Sequence, residues 1–124
     1  MNTAMDRTEI ALWTRDAEGR WSARRIWVVV LDGEAYVRSA FGGRSAWYSQ
    51  VLGRADTEVE VDGHRLSVTL QPVADPELVQ RVSDAYRAKY GLSWPGPVES
   101  MNGHEAAATT MRLTDVGQVP QLPA

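Results

Sequence analysis

The chain contains no cysteine, one phenylalanine and a single lysine, Lys89. The first absence excludes disulfides, thiolate nucleophiles, iron–sulfur clusters and Cys-ligated zinc in one step. His64 and His104 are the only imidazoles, so histidine-rich metal centres are excluded as well. The longest apolar run, Ile26 to Leu31, is far too short to span a bilayer, and no basic segment followed by an apolar run opens the chain. A cytoplasmic location with no membrane partner is the expectation. There is no excess of positive charge either. With 13 Lys+Arg against 16 Asp+Glu and a net charge of −3, nothing drives the whole molecule toward nucleic acid. Every basic residue but Lys89 and the histidines is arginine. That bias reads as genomic composition more than as recognition chemistry.

What is present suits one ordinary domain: 124 residues, 44% hydrophobic and 23% charged, enough apolar matter for a core. The clearest local signal is Asp32-Gly33 between two strand-like runs, the dipeptide of a two-residue type I′ hairpin. If Leu31 pairs with Glu34, alternation puts Ile26, Val28, Val30, Ala35, Val37 and Phe41 on one apolar face. The other face carries Arg25, Trp27, Val29, Tyr36 and Arg38. Flat aromatics beside guanidinium donors suit a planar anionic ligand, or equally a subunit interface.

The remaining elements follow from periodicity and punctuation. Thr8 to Thr14 reads as a strand, with Arg15 to Arg20 as a loop before Trp21 opens the next. Gly42-Gly43 ends the hairpin pattern, and Ser45 caps a short helix that presents Trp47, Tyr48, Val51 and Leu52 over a barrel mouth, ended by Gly53. Thr57 to Leu70 forms a second hairpin about Asp62-Gly63, with Val61 opposite His64 and an exposed Glu60–Arg65 pair. His64 reads as a turn residue without chemistry. Asp75, Pro76 and Glu77 start a long helix that Gly91 ends, its buried stripe being Leu78, Val82, Tyr86 and Tyr90 and its solvated side carrying Asp84 and Lys89. The two tyrosines read as core filler with hydroxyls at the surface, or as ligand contacts. Leu92 to Glu105 holds too many breakers for a regular element, yet its Trp94, Val98 and Met101 must pack, as a lid, against a second subunit, or as plain loop. Ala107 to Leu113 reads as a closing strand. The expected architecture is mainly β: a small antiparallel split barrel of about six strands with one long and one short helix, filling residues 1–115, with residues 116–124 as a loose tail.

The segment from Arg24 to Ser39, Arg-Arg-Ile-Trp-Val-Val-Val-Leu-Asp-Gly-Glu-Ala-Tyr-Val-Arg-Ser, resembles the core hairpin of the flavin-binding split barrels, the pyridoxamine-phosphate-oxidase-like superfamily. More closely, it resembles an uncharacterised bacterial family of unknown function. That likeness continues through Trp47-Tyr48, through Asp84 to Gly91 and through Ala108 to Leu113. The resemblance implies a homodimer with FMN or a deazaflavin at its interface, acting as an oxidoreductase on a small organic substrate. It implies phosphate contacts from Arg38 and Ser39 at the strand end and from Arg44 and Ser45 at the following helix start. A stacking wall would come from Trp27, Tyr36 or Trp94, with Tyr86 and Tyr90 as further ligand candidates. The superfamily's loop lysine is absent here, and Arg44 stands in that loop. No triad, Walker loop or dinucleotide fingerprint appears. Two rival expectations stand beside this one: a cofactor-free barrel for a small hydrophobic or planar molecule, as a carrier, sensor or cyclase-like shape catalyst, and a purely structural dimerisation module.

Overall fold

Type I′ geometry needs positive φ at both central turn residues, and Asp32 (52°) and Gly33 (80°) supply it. The computed structural model describes residues 9–16, 18–39, 47–48, 56–61 and 63–118. Its strands are β1 (Glu9–Arg15), β2 (Trp21–Leu31), β3 (Glu34–Val37), β4 (Thr57–Val61), β5 (His64–Pro72) and β6 (Met111–Gln118). The helices are α1 (Pro76–Tyr90), α2 (Pro95–Met101) and α3 (His104–Ala107). The six strands close into an antiparallel barrel in the order β1-β2-β3-β6-β5-β4. The expected hairpin registers hold, with Leu31 opposite Glu34 and Val61 opposite His64.

The long β2 changes partner along its length. Trp21 to Trp27 pair with β1, whereas Val28 to Leu31 pair with β3. Alternation then sends β2 side chains into two separate cores. Ile26 and Val28 join Ile10, Leu12, Val59 and Met111 inside the barrel. Trp27 and Val29 face outward into a second core with Tyr36, Val82, Tyr86 and Tyr90, closed by α1. The sequence reading left that outer face open for recognition. The structure roofs it with α1, because Val82, Tyr86 and Tyr90 need an apolar partner and the outer face of the hairpin supplies one.

Helix α1 keeps its expected bounds. Asp75 accepts a hydrogen bond from the Glu77 N–H at 3.1 Å, Pro76 stands in the first turn, and Gly91 N–H donates to Arg87 C=O. Gly91 is helical in φ (−61°). Glycine is required there by space, since a Cβ would lie 2.5 Å from the Arg87 carbonyl oxygen.

Several expectations are corrected. Leu92 to Glu105, read as irregular, contains α2 and the start of α3, and Ala107, read as strand, ends α3; prolines in a first helical turn remove only N–H groups that have no intrahelical partner, and Val98 and Met101 bury the inner side of α2. The closing strand starts at Met111, because the Thr109 and Thr110 hydroxyls donate to the Ala106 and Ala107 carbonyls and hold those residues in a turn. It runs to Gln118, so Val116, placed in the tail, is strand. Arg65 pairs with Glu58 at 2.7 Å instead of Glu60, while Glu60 accepts from the Trp13 indole at 2.9 Å. Lys89, read as solvated, reaches the Val28 carbonyl at 2.7 Å. Of the short helix expected from Ser45, Trp47 and Tyr48 are helical, with Trp47 buried in the barrel core; the rest lies outside the described residues. No helix among the described residues is long and apolar enough to cross a membrane.

Candidate functional site

Arg38 leaves the end of β3 and is 1% exposed. Its Nε donates to Thr110 Oγ1 at 2.8 Å, Nη1 to the Met101 carbonyl at 3.0 Å and to Asn102 Oδ1 at 3.1 Å, and Nη2 to the Val79 carbonyl at 2.8 Å. One guanidinium thereby fastens α1, the end of α2 and the approach to β6 to the hairpin. Asn102 extends the network by donating to the Ser83 carbonyl at 3.0 Å. Burial pushes the Arg38 pKa down, opposed by Tyr86, and the same burial pushes the Tyr86 hydroxyl well above its ordinary value against the pull of Arg38. The cation sits 5.4 Å from the Tyr86 ring. Ser39 is fully buried, and its N–H donates to Thr109 Oγ1 at 2.8 Å.

The residues expected to hold a ligand are therefore not one open cluster. Tyr36, Arg38 and Ser39 are interior groups beneath the helices. A guanidinium spending four hydrogen bonds on protein acceptors has little left for a phosphate, so the geometry of Arg38 is that of an internal fastener. Tyr86 and Tyr90 are 0% and 1% exposed, with hydroxyls directed inward to β2 carbonyls, where the sequence reading put them at the surface. Trp27 is half-buried and stacks on Tyr90, centroids 4.1 Å apart and planes 4° from parallel. Trp94 is 42% exposed and lies 5.8 Å from Trp27. Arg44 and Ser45 lie outside the described residues.

A different arginine has the geometry of a binding group. Arg24 is in phase with Ile26 and Val28 and stands opposite Leu12 on β1, so it points to the barrel-interior side of β2. One step toward the β1–β2 loop, Ser22 lies opposite Thr14, and Thr14 lies opposite Thr57 on β4. This end of the barrel is lined by hydroxyls where the middle is lined by Leu12, Ile26 and Val59. The Arg24 Nε is shielded from solvent and has no hydrogen-bond partner among the described residues; Nη2 donates to Ser22 Oγ at 3.5 Å. A buried donor of a charged group left without an acceptor is costly, and an anion is the species that would satisfy it. Sequence reasoning passed over Arg24 for its neighbour Arg25. The available signal was an arginine on the apolar alternate of a strand. Among the described residues, no cluster of three or more His, Asp or Glu could hold a metal ion.

A closed six-stranded antiparallel barrel with a helix laid over its central hairpin defines a small split barrel. Residues 2–113 match a family of bacterial proteins described as uncharacterized and conserved in bacteria (DUF2255), and the chain belongs to that family. No curated protein matches the sequence. Among solved structures, an F420-H2 dependent reductase superimposes with a TM-score of 0.65 at 16% identity, over 86% of this chain and 94% of that one. A putative pyridoxamine 5′-phosphate oxidase from Listeria innocua gives 0.63 at 9% identity, over 95% and 93%. Campylobacter jejuni ChuZ gives 0.64 at 12% identity over 92% of this chain, which spans only 49% of that protein. At these identities the likeness is one of fold.

Proposed function

We propose that this protein is a flavin- or deazaflavin-dependent oxidoreductase, working as a homodimer on a small organic substrate, with the cofactor phosphate held at the polar end of the barrel by Arg24. The observation that carries the reading is the shielded Nε of Arg24, without a hydrogen-bond partner among the described residues, in a barrel that superimposes on an F420-H2 dependent reductase. Arg44 and Ser45 are the second phosphate contact in this proposal. A bound cofactor of this class supplies hydride transfer. The chain's own part is then to bind and orient: Arg24 fixes an anionic group by charge-assisted hydrogen bonds, and the apolar lining of Leu12, Ile26 and Val59 excludes water beside it.

The test is a fluorescence titration of the purified protein with FMN and with F420, wild type against Arg24→Gln, with oligomeric state read by light scattering. Saturable binding that the Arg24→Gln variant loses while keeping its fold supports the reading. A folded protein that binds neither cofactor at high concentration overturns it, and leaves a cofactor-free barrel.

A further inference from the structure

Outside the barrel, four aromatic rings form a contiguous series from a fully buried position to the surface. Tyr86 is 0% exposed, and its ring lies 5.9 Å from Tyr90. Tyr90 stacks on Trp27 at 4.1 Å. Trp94, 42% exposed, stands 5.8 Å from Trp27 and 6.1 Å from Tyr90. Indoles and phenols are the side chains that most readily give up one electron once thiols are absent, and this chain has no cysteine. Electron transfer between rings at contact distance is fast, because its rate falls steeply only as the gap widens.

The two ring types differ in what they require. A phenol must shed its proton as it is oxidised, and the Tyr90 hydroxyl donates to the Val28 backbone carbonyl at 2.9 Å, a poor proton acceptor. An indole survives as a radical cation without immediate proton loss. A parallel ring at 4.1 Å further spreads and stabilises positive charge on Trp27.

We propose that Trp27, stacked on Tyr90, and Trp94 form a relay that carries oxidising equivalents from the interior to the surface. A one-electron oxidant, either a peroxide-derived radical or a photoexcited sensitiser, takes one electron from Trp27 and is itself reduced. Trp94 passes one electron to the Trp27 radical cation and restores it. The Trp94 radical cation then loses its indole proton to water, and the neutral radical takes one electron and one proton from a thiol or ascorbate-type reductant in solution. Tyr86 is the insulated inner end. The relay requires no bound cofactor, so its failure and that of the flavin reading are separate results.

The test is limited photo-oxidation of the intact protein by a soluble ruthenium polypyridyl sensitiser, with oxygenated indole at each tryptophan quantified by peptide mass spectrometry. Three proteins are compared: wild type, Trp94→Phe and Trp94→Tyr. Phenylalanine cannot accept the charge, whereas a surface tyrosine can, by releasing its proton to water. The expected result is a severalfold rise in oxidation at Trp27 in Trp94→Phe, with Trp94→Tyr close to wild type and with Trp13 and Trp21 unchanged in all three. If Trp94 merely shields Trp27, the Phe and Tyr variants behave alike. Equal Trp27 yields in those two variants, or no change from wild type in either, overturn the relay.

Discussion

The hydroxyl of Tyr90 brackets one residue of β2: it accepts from the Val28 N–H at 3.2 Å and donates to the Val28 C=O at 2.9 Å. Among the described residues the β1–β2 ladder reaches Trp27 opposite Glu9, and the Tyr90 side chain bonds the next residue of β2.

Tyr90→Phe keeps the ring stacked on Trp27 but leaves the Val28 N–H without its acceptor. The expected loss is about 1–3 kcal/mol of unfolding free energy, read from the urea midpoint, together with faster hydrogen exchange at the Val28 amide. An exchange rate equal to wild type would contradict the bracket.

Arg38→Ala removes four hydrogen bonds and takes the charged donor from the buried Met101 carbonyl. A loss of about 3–5 kcal/mol is expected, and Arg38→Lys recovers little of it, because one ammonium cannot reach acceptors spread over α1, α2 and the Thr110 turn. A lysine variant as stable as wild type would refute the fastener role.

Arg24→Leu has the opposite sign. Replacing a half-buried guanidinium, whose shielded Nε has no partner among the described residues, by an apolar side chain raises stability by about 1 kcal/mol or leaves it unchanged. Thermal melting of the ligand-free protein checks this, and a marked drop in Tm would mean that Arg24 holds the fold together.

Tyr86 makes stability fall at alkaline pH. Burial raises its folded pKa above the ordinary 10.0, so from about pH 10 upward the unfolded chain has released a proton that the native state keeps. Stability declines there by up to about 1.4 kcal/mol per pH unit. Tyr86→Phe removes this contribution, and urea unfolding of both proteins across that range should show a shallower decline in the variant.

On the acid side, the Arg87 guanidinium bonds Glu99 at 3.1 and 3.2 Å and lowers its carboxyl pKa below 4.5. The contribution is complete above 4.5 and disappears as pH falls through the lowered folded value. Both groups are exposed, so salt screens it. Melting temperatures of Glu99→Gln should fall less steeply with acid than those of wild type at low salt, and the two slopes should converge at high salt.

The elements legible in the sequence are those set by local chemistry. Asp32-Gly33 fixed a register, and Asp75-Pro76 with Gly91 bounded α1, since turn and cap preferences act within a few residues. What α1 covers was not legible. Trp27, Tyr36 and Arg38 share a face by alternation, but nothing local says that a helix beginning at Pro76 lies over it. The same limit hid the role of Arg38, whose acceptors lie 41 to 72 residues away in sequence. α2 was missed because Pro95 and Pro97 read as breakers, when their place in a first turn is what makes them tolerable. Arg24 went unnoticed because an arginine among Ile26 and Val28 looks like an interruption until its surroundings are seen.

β2 is a party wall. Val28 faces the barrel and Val29 faces the helix side, so neighbouring residues answer to different tenants. Repacking the barrel core at Leu12, Ile26 or Val59 leaves the cluster under α1 untouched, and the aromatic series outside can be rebuilt without altering the barrel core. In this small chain, the two compartments can be engineered one at a time.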